Sequence, residues 1–241
     1  MVYNWLNNVL SGWLPAQCVL CGASGAPGRD LCTGCHTDLP HLGTRACRRC
    51  AAPLGPAAAE ICGRCLRRPP SYDAALAAFV YQPPLSRLIT DLKFHQALHL
   101  ARLLGRELGG AVSNARAGLD AGPPEVIVPV PLHPARLRQR GYNQALELAR
   151  PVARHLGIPL APELCERVRA TPAQTDLPAA RRGANVRGAF RARDCAGIER
   201  AAIVDDVLTT GHTVAELTRV LRRAGVRHVE VWGCARAAAP N

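Results

Sequence analysis

The sequence predicts an α/β fold, a parallel sheet flanked by helices, preceded by a small module that metal ions hold together. Three observations predict it. Eight of the eleven cysteines fall into four C-x-x-C pairs between Cys18 and Cys65, a spacing that reads as metal binding. From Ala74 onward, short apolar and β-branched runs alternate with amphipathic runs, the order of strands and helices from which a parallel sheet is built. One stretch, from Ala201 to Thr213, carries a buried-strand run through two adjacent acids and a polar turn into a helix.

The cysteine pairs are Cys18/Cys21, Cys32/Cys35, Cys47/Cys50 and Cys62/Cys65, and the second two repeat the first two after 29 or 30 residues. This is an internal duplication. Four thiolates meet the tetrahedral preference of Zn²⁺. The segment has few large apolar side chains and cannot bury a core alone, so two structural zinc ions supply the folding energy. Sequential pairing puts Cys18, Cys21, Cys32 and Cys35 on one ion and Cys47, Cys50, Cys62 and Cys65 on the other, and closes shorter loops than a cross-braced arrangement. An iron–sulfur centre is the rival metal. His36 directly follows Cys35 and reads as a solvated neighbour, since eight thiolates already fill two sites.

Composition bounds the partners. The chain carries a formal charge of +12 from 30 Lys+Arg and 18 Asp+Glu, and Lys93 is its one lysine. Arginine favours forked contacts to phosphates, so partners are anionic; nucleic acid and a phosphorylated sugar both fit. Aromatic content of 4% leaves little material for a base-stacking platform. Metal-type cysteine spacing points to a cytoplasmic home. Residues 1–16 lack the basic start of a signal peptide, and no run approaches the roughly 20 apolar residues of a membrane span.

In order, Val2, Trp5, Leu6, Val9, Leu10, Trp13 and Leu14 recur at helical spacing, predicting an amphipathic helix over residues 1–16 whose apolar face docks on the body or meets a membrane surface or partner. The metal module spans 17–68, and the α/β domain 69–241. In that domain Ala74 to Tyr81 reads as a strand, Leu85 to Gly110 as one or two helices, Glu125 to Pro131 as a second buried strand, and Ala145 to Leu156 as a helix. Ile158-Pro159-Leu160 supplies a short strand segment, Val214 to Ala224 a helix and Val226 to Cys234 the last strand.

Between Val204 and the helix at Val214 lie Asp205, Asp206, Val207, Leu208, Thr209, Thr210, Gly211, His212 and Thr213. Hydroxyls, the N–H groups of a helix start and one glycine make an anion seat for a phosphate. The acids repel a phosphate and suit vicinal hydroxyls or a metal-bound sugar, so the loop reads as a ribose 5-phosphate site. A strand ending in two solvated acids before a capped helix is the plainer alternative. A basic stretch with Arg136, Arg140, Gly141, Tyr142, Asn143 and Gln144 is either a second phosphate seat or a solubilising surface loop. Residues 166–193 are Arg-rich and too polar for a core element, and read either as a flap over a polyanion or as a disordered basic loop. Cys165 and Cys195 flank them without metal spacing and read as inert.

The acid-acid-Thr-Thr-Gly stretch resembles the phosphoribosyl pyrophosphate (PRPP) loop of type I phosphoribosyltransferases. Taken with the strand-Pro-Leu-His run, Arg140 to Gln144, Arg167 to Gln174 and Asn185 to Phe190, in this order, the chain resembles ComF-type proteins over residues 17–236. That family joins a double zinc ribbon to a type I phosphoribosyltransferase domain and is associated with competence and DNA uptake. The resemblance implies that Asp205 and Asp206 hold the ribose hydroxyls and that Thr209 to Thr213 hold the 5-phosphate, with Val207 and Leu208 in the same substrate-binding loop. It places Lys93 and Arg140 to Gln144 on the pyrophosphate side, where an enzyme would also use Arg136 of the same loop, and Arg167, Arg169, Gln174, Arg182 and Asn185 in a flexible loop. Mg²⁺ accompanies PRPP, and DNA or DNA-processing proteins are the further candidate partners. The alternative to a transferase is a PRPP- or nucleotide-sensing adaptor.

Overall fold

The apolar runs of the sequence become strands of one sheet because their partners are themselves apolar on both faces. A computed structural model describes residues 16–55, 59–117, 122–170 and 186–238. The helix expected before Pro15, and the expected flap residues Gln174, Arg182 and Asn185, lie outside the described residues. Among the described residues the strands are β1 (Ala74–Val80), β2 (Val126–Pro129), β3 (Cys165–Arg167), β4 (Phe190–Ala192), β5 (Arg200–Leu208) and β6 (His228–Arg236). The helices are α1 (Thr33–Thr37), α2 (Gly63–Arg67), α3 (Leu85–Phe94), α4 (Leu98–Arg116), α5 (Pro134–Arg140), α6 (Gln144–Leu156) and α7 (His212–Arg223).

Four strands form a sheet of order β1-β6-β5-β2, and every pair in it is parallel. Alternation along β5 divides the core into two layers. Ala202 and Val204 pack with α3, α4 and α6, whereas Ala201 and Ile203 pack with Val214, Leu217 and Leu221 of α7. The α4–α6 contact is close because Gly105 has no side chain: a Cβ there would lie 2.2 Å from Pro151 Cγ and 2.6 Å from Leu148 O.

Several boundaries differ from the sequence expectation, each for a local reason. The expected basic loop from Arg136 to Gln144 is half helical: Pro134 opens α5, His133 Nδ1 accepts from the Ala135 N–H at 3.2 Å, and Gly141 ends it in the left-handed region at φ 84°. β5 does not stop at Val204 but runs through both acids to Leu208, because β6 offers it partners as far as Arg236. α7 begins at His212, behind Gly211 at φ 78°. Ile158-Pro159-Leu160 makes one parallel bridge, Ile127 to Leu160, not a strand. The ends of the Arg-rich stretch are ordered as an antiparallel pair, β3 with β4, and Arg167 is buried there.

Candidate phosphate crevice and metal centres

β2 stops where the chain reads Pro129-Val130-Pro131, since proline removes the donors a central strand needs. β5 continues four residues further, so its edge next to β2 is open from Asp205 on. β2 leads on to α6 in one layer, while β5 leads into α7 in the other. A crevice opens where neighbouring strands send their connections to opposite faces, at their carboxyl ends. Asp205 and Asp206 stand at that point.

Asp206, only 5% exposed, follows the alternation of Ala202 and Val204 toward α3. There Lys93 Nζ approaches its Oδ2 to 3.1 Å. α3 delivers the lysine because Leu85, Leu88, Ile89 and Leu92 bury one face, leaving Lys93 beside them in the last turn, where a cation also suits the helix dipole. Burial works against its charge, but Asp206 and Asp205 outweigh it and the Lys93 pKa is raised. Asp205 is pushed up to about 7, by burial first and then by the Asp206 charge, against the opposing pull of Lys93 and Arg167. Its Oδ1 accepts the Asp206 N–H at 2.9 Å.

The basic stretch comes to the same place. Arg140 Nη1 donates to Gln144 Oε1 at 2.7 Å, and its guanidinium lies 5.2 Å from the Phe94 ring centroid. Tyr142 OH donates to the Leu92 carbonyl, stapling this segment to the end of α3. Burial lowers the Arg140 pKa while the Asp206 charge raises it, with a net shift downward. The Arg167 pKa is likewise lowered, by burial and then by Arg136, with Asp205 opposing. Lys93, Arg140 and Arg167 therefore converge on the two acids, with the Arg136 charge beside Arg140 and Arg167. Asn143 braces the crevice wall: its Oδ1 accepts from the Ala145 N–H at 3.1 Å and its Nδ2 donates to Val130 O at 3.1 Å. Val207 and Leu208 are buried strand residues, so only their backbone is on offer. Arg169 is further along, donating to Arg187 O at 2.6 Å.

The turn after β5 is held by residues that the sequence reading missed. Arg236 Nη1 sits among the carbonyl oxygens of Leu208, Thr209 and Ala237, and Arg64 Nη2 donates to Thr210 O at 3.1 Å. A Cβ on Gly211 would lie 3.1 Å from Tyr72 Oη. A charged residue closing the apolar run of β6 is a signal for Arg236. Nothing in a C-x-x-C interior signals which way Arg64 faces.

The eight paired cysteines form two sets of four, in sequential order as expected, with the ligand atoms of each set within 4.8 Å of one another. Cys21 and Cys32 sulfurs are 3.7 Å apart, as are those of Cys50 and Cys62, close to the roughly 3.8 Å edge of a tetrahedron with Zn–S near 2.3 Å. Backbone N–H groups of Cys35 and Cys62 reach Cys32 and Cys47 sulfurs at 3.4 and 3.3 Å. The donor set fits zinc. His36 is not a solvated neighbour: its Nε2 lies 3.1 Å from Glu107 Oε2 on α4.

Two cavities flank these features. The larger, about 1430 Å³, lies beside β1 and α4 around Leu103, Arg106 and Trp232, with neither acid on its wall. The smaller, about 700 Å³, separates the second ribbon from the turn after β5 and is lined by Arg64, Tyr72, Gly211 and Arg236. Size does not select the site; the charge arrangement does.

The family model for the double zinc ribbon domain matches residues 9–66. Competence protein F of Haemophilus influenzae is 37% identical over 225 residues, which is 92% of this chain and 97% of that protein. The chain belongs to the ComF family. DNA utilization protein YhgH of Escherichia coli K12 is 37% identical over 220 residues, covering 91% of this ComF family chain and 96% of the relative; its counterpart in Salmonella typhi matches equally. No helix among the described residues is long and apolar enough to cross a membrane.

Proposed function

We propose that this chain binds PRPP with Mg²⁺ in the crevice at the carboxyl ends of β2 and β5, in a domain of type I phosphoribosyltransferase kind, and transfers its phosphoribosyl group with release of pyrophosphate. One observation carries the reading: three cationic side chains, Lys93, Arg140 and Arg167, converge on two adjacent acids beside a Thr-Thr-Gly turn. Acids suit the ribose hydroxyls, the turn and the start of α7 suit the 5-phosphate, and Lys93, Arg136 and Arg140 suit the pyrophosphate.

Asp205 and Asp206 are the carboxylates that would hold Mg²⁺; bound there, it would supply positive charge for the leaving group. Transfer breaks the bond from the anomeric carbon to the pyrophosphate oxygen and forms one to the acceptor; the two carboxylates stabilise the positive sugar and the arginines the departing charge. Arg167, at the base of the Arg-rich stretch, feels the Asp205 charge, where a flap that closed would exclude water.

The test is titration calorimetry of zinc-loaded protein with PRPP and Mg²⁺, in the wild type and an Asp205→Asn, Asp206→Asn variant. Wild-type binding, weakened about a hundredfold or more in the variant, supports the site. Equal binding in both removes it.

A second reading, a DNA-processing adaptor, is favoured by the net charge of +12 and by relatives named for competence and DNA utilization. Phosphate contacts alone suffice for such binding and make it salt-sensitive. The Asn variant then keeps DNA binding while PRPP binding is lost; a transferase acting alone shows no DNA binding in either form.

A further inference from the structure

We infer that the second zinc ribbon is a working part of the phosphate seat, with Arg64 and Arg236 as positioning residues that aim the turn's N–H groups at the phosphate. This rests on the crevice being a phosphorylated-ribose site. Three consecutive carbonyls of the turn are drawn to one side. Arg236, 3% exposed, holds those of Leu208 and Thr209, and Arg64 holds that of Thr210.

The only cis peptide among the described residues is Pro83–Pro84, so the peptides of the turn are trans and planar. In a trans peptide the N–H points opposite to its own carbonyl. Carbonyls fixed toward the arginines therefore set the N–H groups of Thr209, Thr210 and Gly211 on the opposite side of the turn. Two guanidinium charges at the carbonyl oxygens also polarise the peptides, strengthening their donors. The clamp is built from two distant parts of the chain. Arg236 is the last residue of β6, whereas Arg64 stands in α2, between Cys62 and Cys65 of the second metal site. Ser71 Oγ, just after that ribbon, donates to Ala215 O of α7 at 2.8 Å, and Tyr72 closes over Gly211. Among the described residues the first ribbon makes no such contact: Arg106 and Arg102 of α4 bind its Gly28 carbonyl and Asp30 carboxylate. Metal occupancy of the second ribbon thus sets affinity for the sugar phosphate.

The experiment is calorimetry of full-length protein carrying two zinc ions per chain, with ribose 5-phosphate and, separately, magnesium pyrophosphate. Arg64→Ala weakens ribose 5-phosphate roughly three- to tenfold, as loss of one exposed hydrogen bond does, and leaves magnesium pyrophosphate unchanged; Arg64→Lys recovers part of the loss. Arg106→Ala, which removes the α4 contact to the first ribbon, alters neither. A second measurement needs no ligand: amide hydrogen exchange over residues 209–211 accelerates in Arg64→Ala. Wild-type affinity for ribose 5-phosphate in Arg64→Ala, or unchanged exchange, overturns the inference while leaving the crevice intact. A wild type that binds neither ligand removes the crevice reading and this inference with it.

Discussion

The two ribbons share a sequence plan and differ in what they lean on. In the first, α4 provides the dock: His36 meets Glu107, Asp30 meets Arg102, and Cys18, Leu31 and Leu39 enter the core layer of α3 and α4. The second holds the turn after β5 through Arg64, and the chain leaving it packs Tyr72 against Gly211. One copy of a duplicated module is an attachment to α4; the other has its surface against the turn after β5. Duplication fixed the cysteine spacing, while the residues between the cysteines took up separate tasks.

The strongest break in this comparison is loss of one metal at a time. A structural zinc is worth on the order of 10–16 kcal/mol of apparent binding energy, so replacing a single ligand melts its own ribbon first. Cys62→Ser should drop the zinc content by one ion per chain and abolish ribose 5-phosphate binding. Cys21→Ser should drop zinc equally and keep binding within about twofold, as expected of independent sites. Metal analysis beside calorimetry checks both, and equal loss of binding in the two variants ends the distinction.

The next effect is set by pH and belongs to the crevice alone. Asp205 titrates near 7 in the folded protein against an ordinary 3.8. The folded state then binds more protons than the unfolded one between these values, so stability falls as pH rises through that window. Asp205 contributes full stability below about pH 4, lost once pH passes about 7. Denaturant unfolding at several pH values should show this slope in the wild type and lose it in Asp205→Asn. Under the proposed function PRPP and Mg²⁺ require the ionised acid, so their binding should strengthen across the same window.

Smaller again is a pair of glycine substitutions. Gly211 at φ 78° and Gly28 at φ 71° are both left-handed, but only Gly211 has a neighbour, Tyr72, in the space of a Cβ. Each change to alanine should cost about 1–2 kcal/mol of stability from backbone strain. Gly211→Ala should also weaken ribose 5-phosphate, and Gly28→Ala should not. The smallest effect is Glu107→Gln, which loosens the His36 contact of the first ribbon: at most about 1 kcal/mol in unfolding, with ligand affinity untouched.

Much of this arrangement was legible in the sequence because short-range signals carry it. Cysteine spacing gave both metal sets, and the apolar runs gave the sheet strands. Lys93 stood out as the one lysine and lies against Asp206. Boundaries were less legible where a partner decides them: β5 extends through its acids because β6 is long enough to pair with it, and no local feature of Asp205-Asp206 signals that length. Asn143 and Gln144 were visible as polar residues at a helix start, yet their bonds to Val130 and Arg140 depend on where α5 ends. Arg64 and Arg236 escaped the reading because their partners are carbonyls 146 and 28 residues away.

The measurement that tests the account most directly is amide hydrogen exchange of the zinc-loaded protein with and without PRPP and Mg²⁺. Added protection is expected over 209–213, over 136–144 and in 63–67, and none in 18–35. Protection in the first ribbon with the turn after β5 unchanged would contradict it.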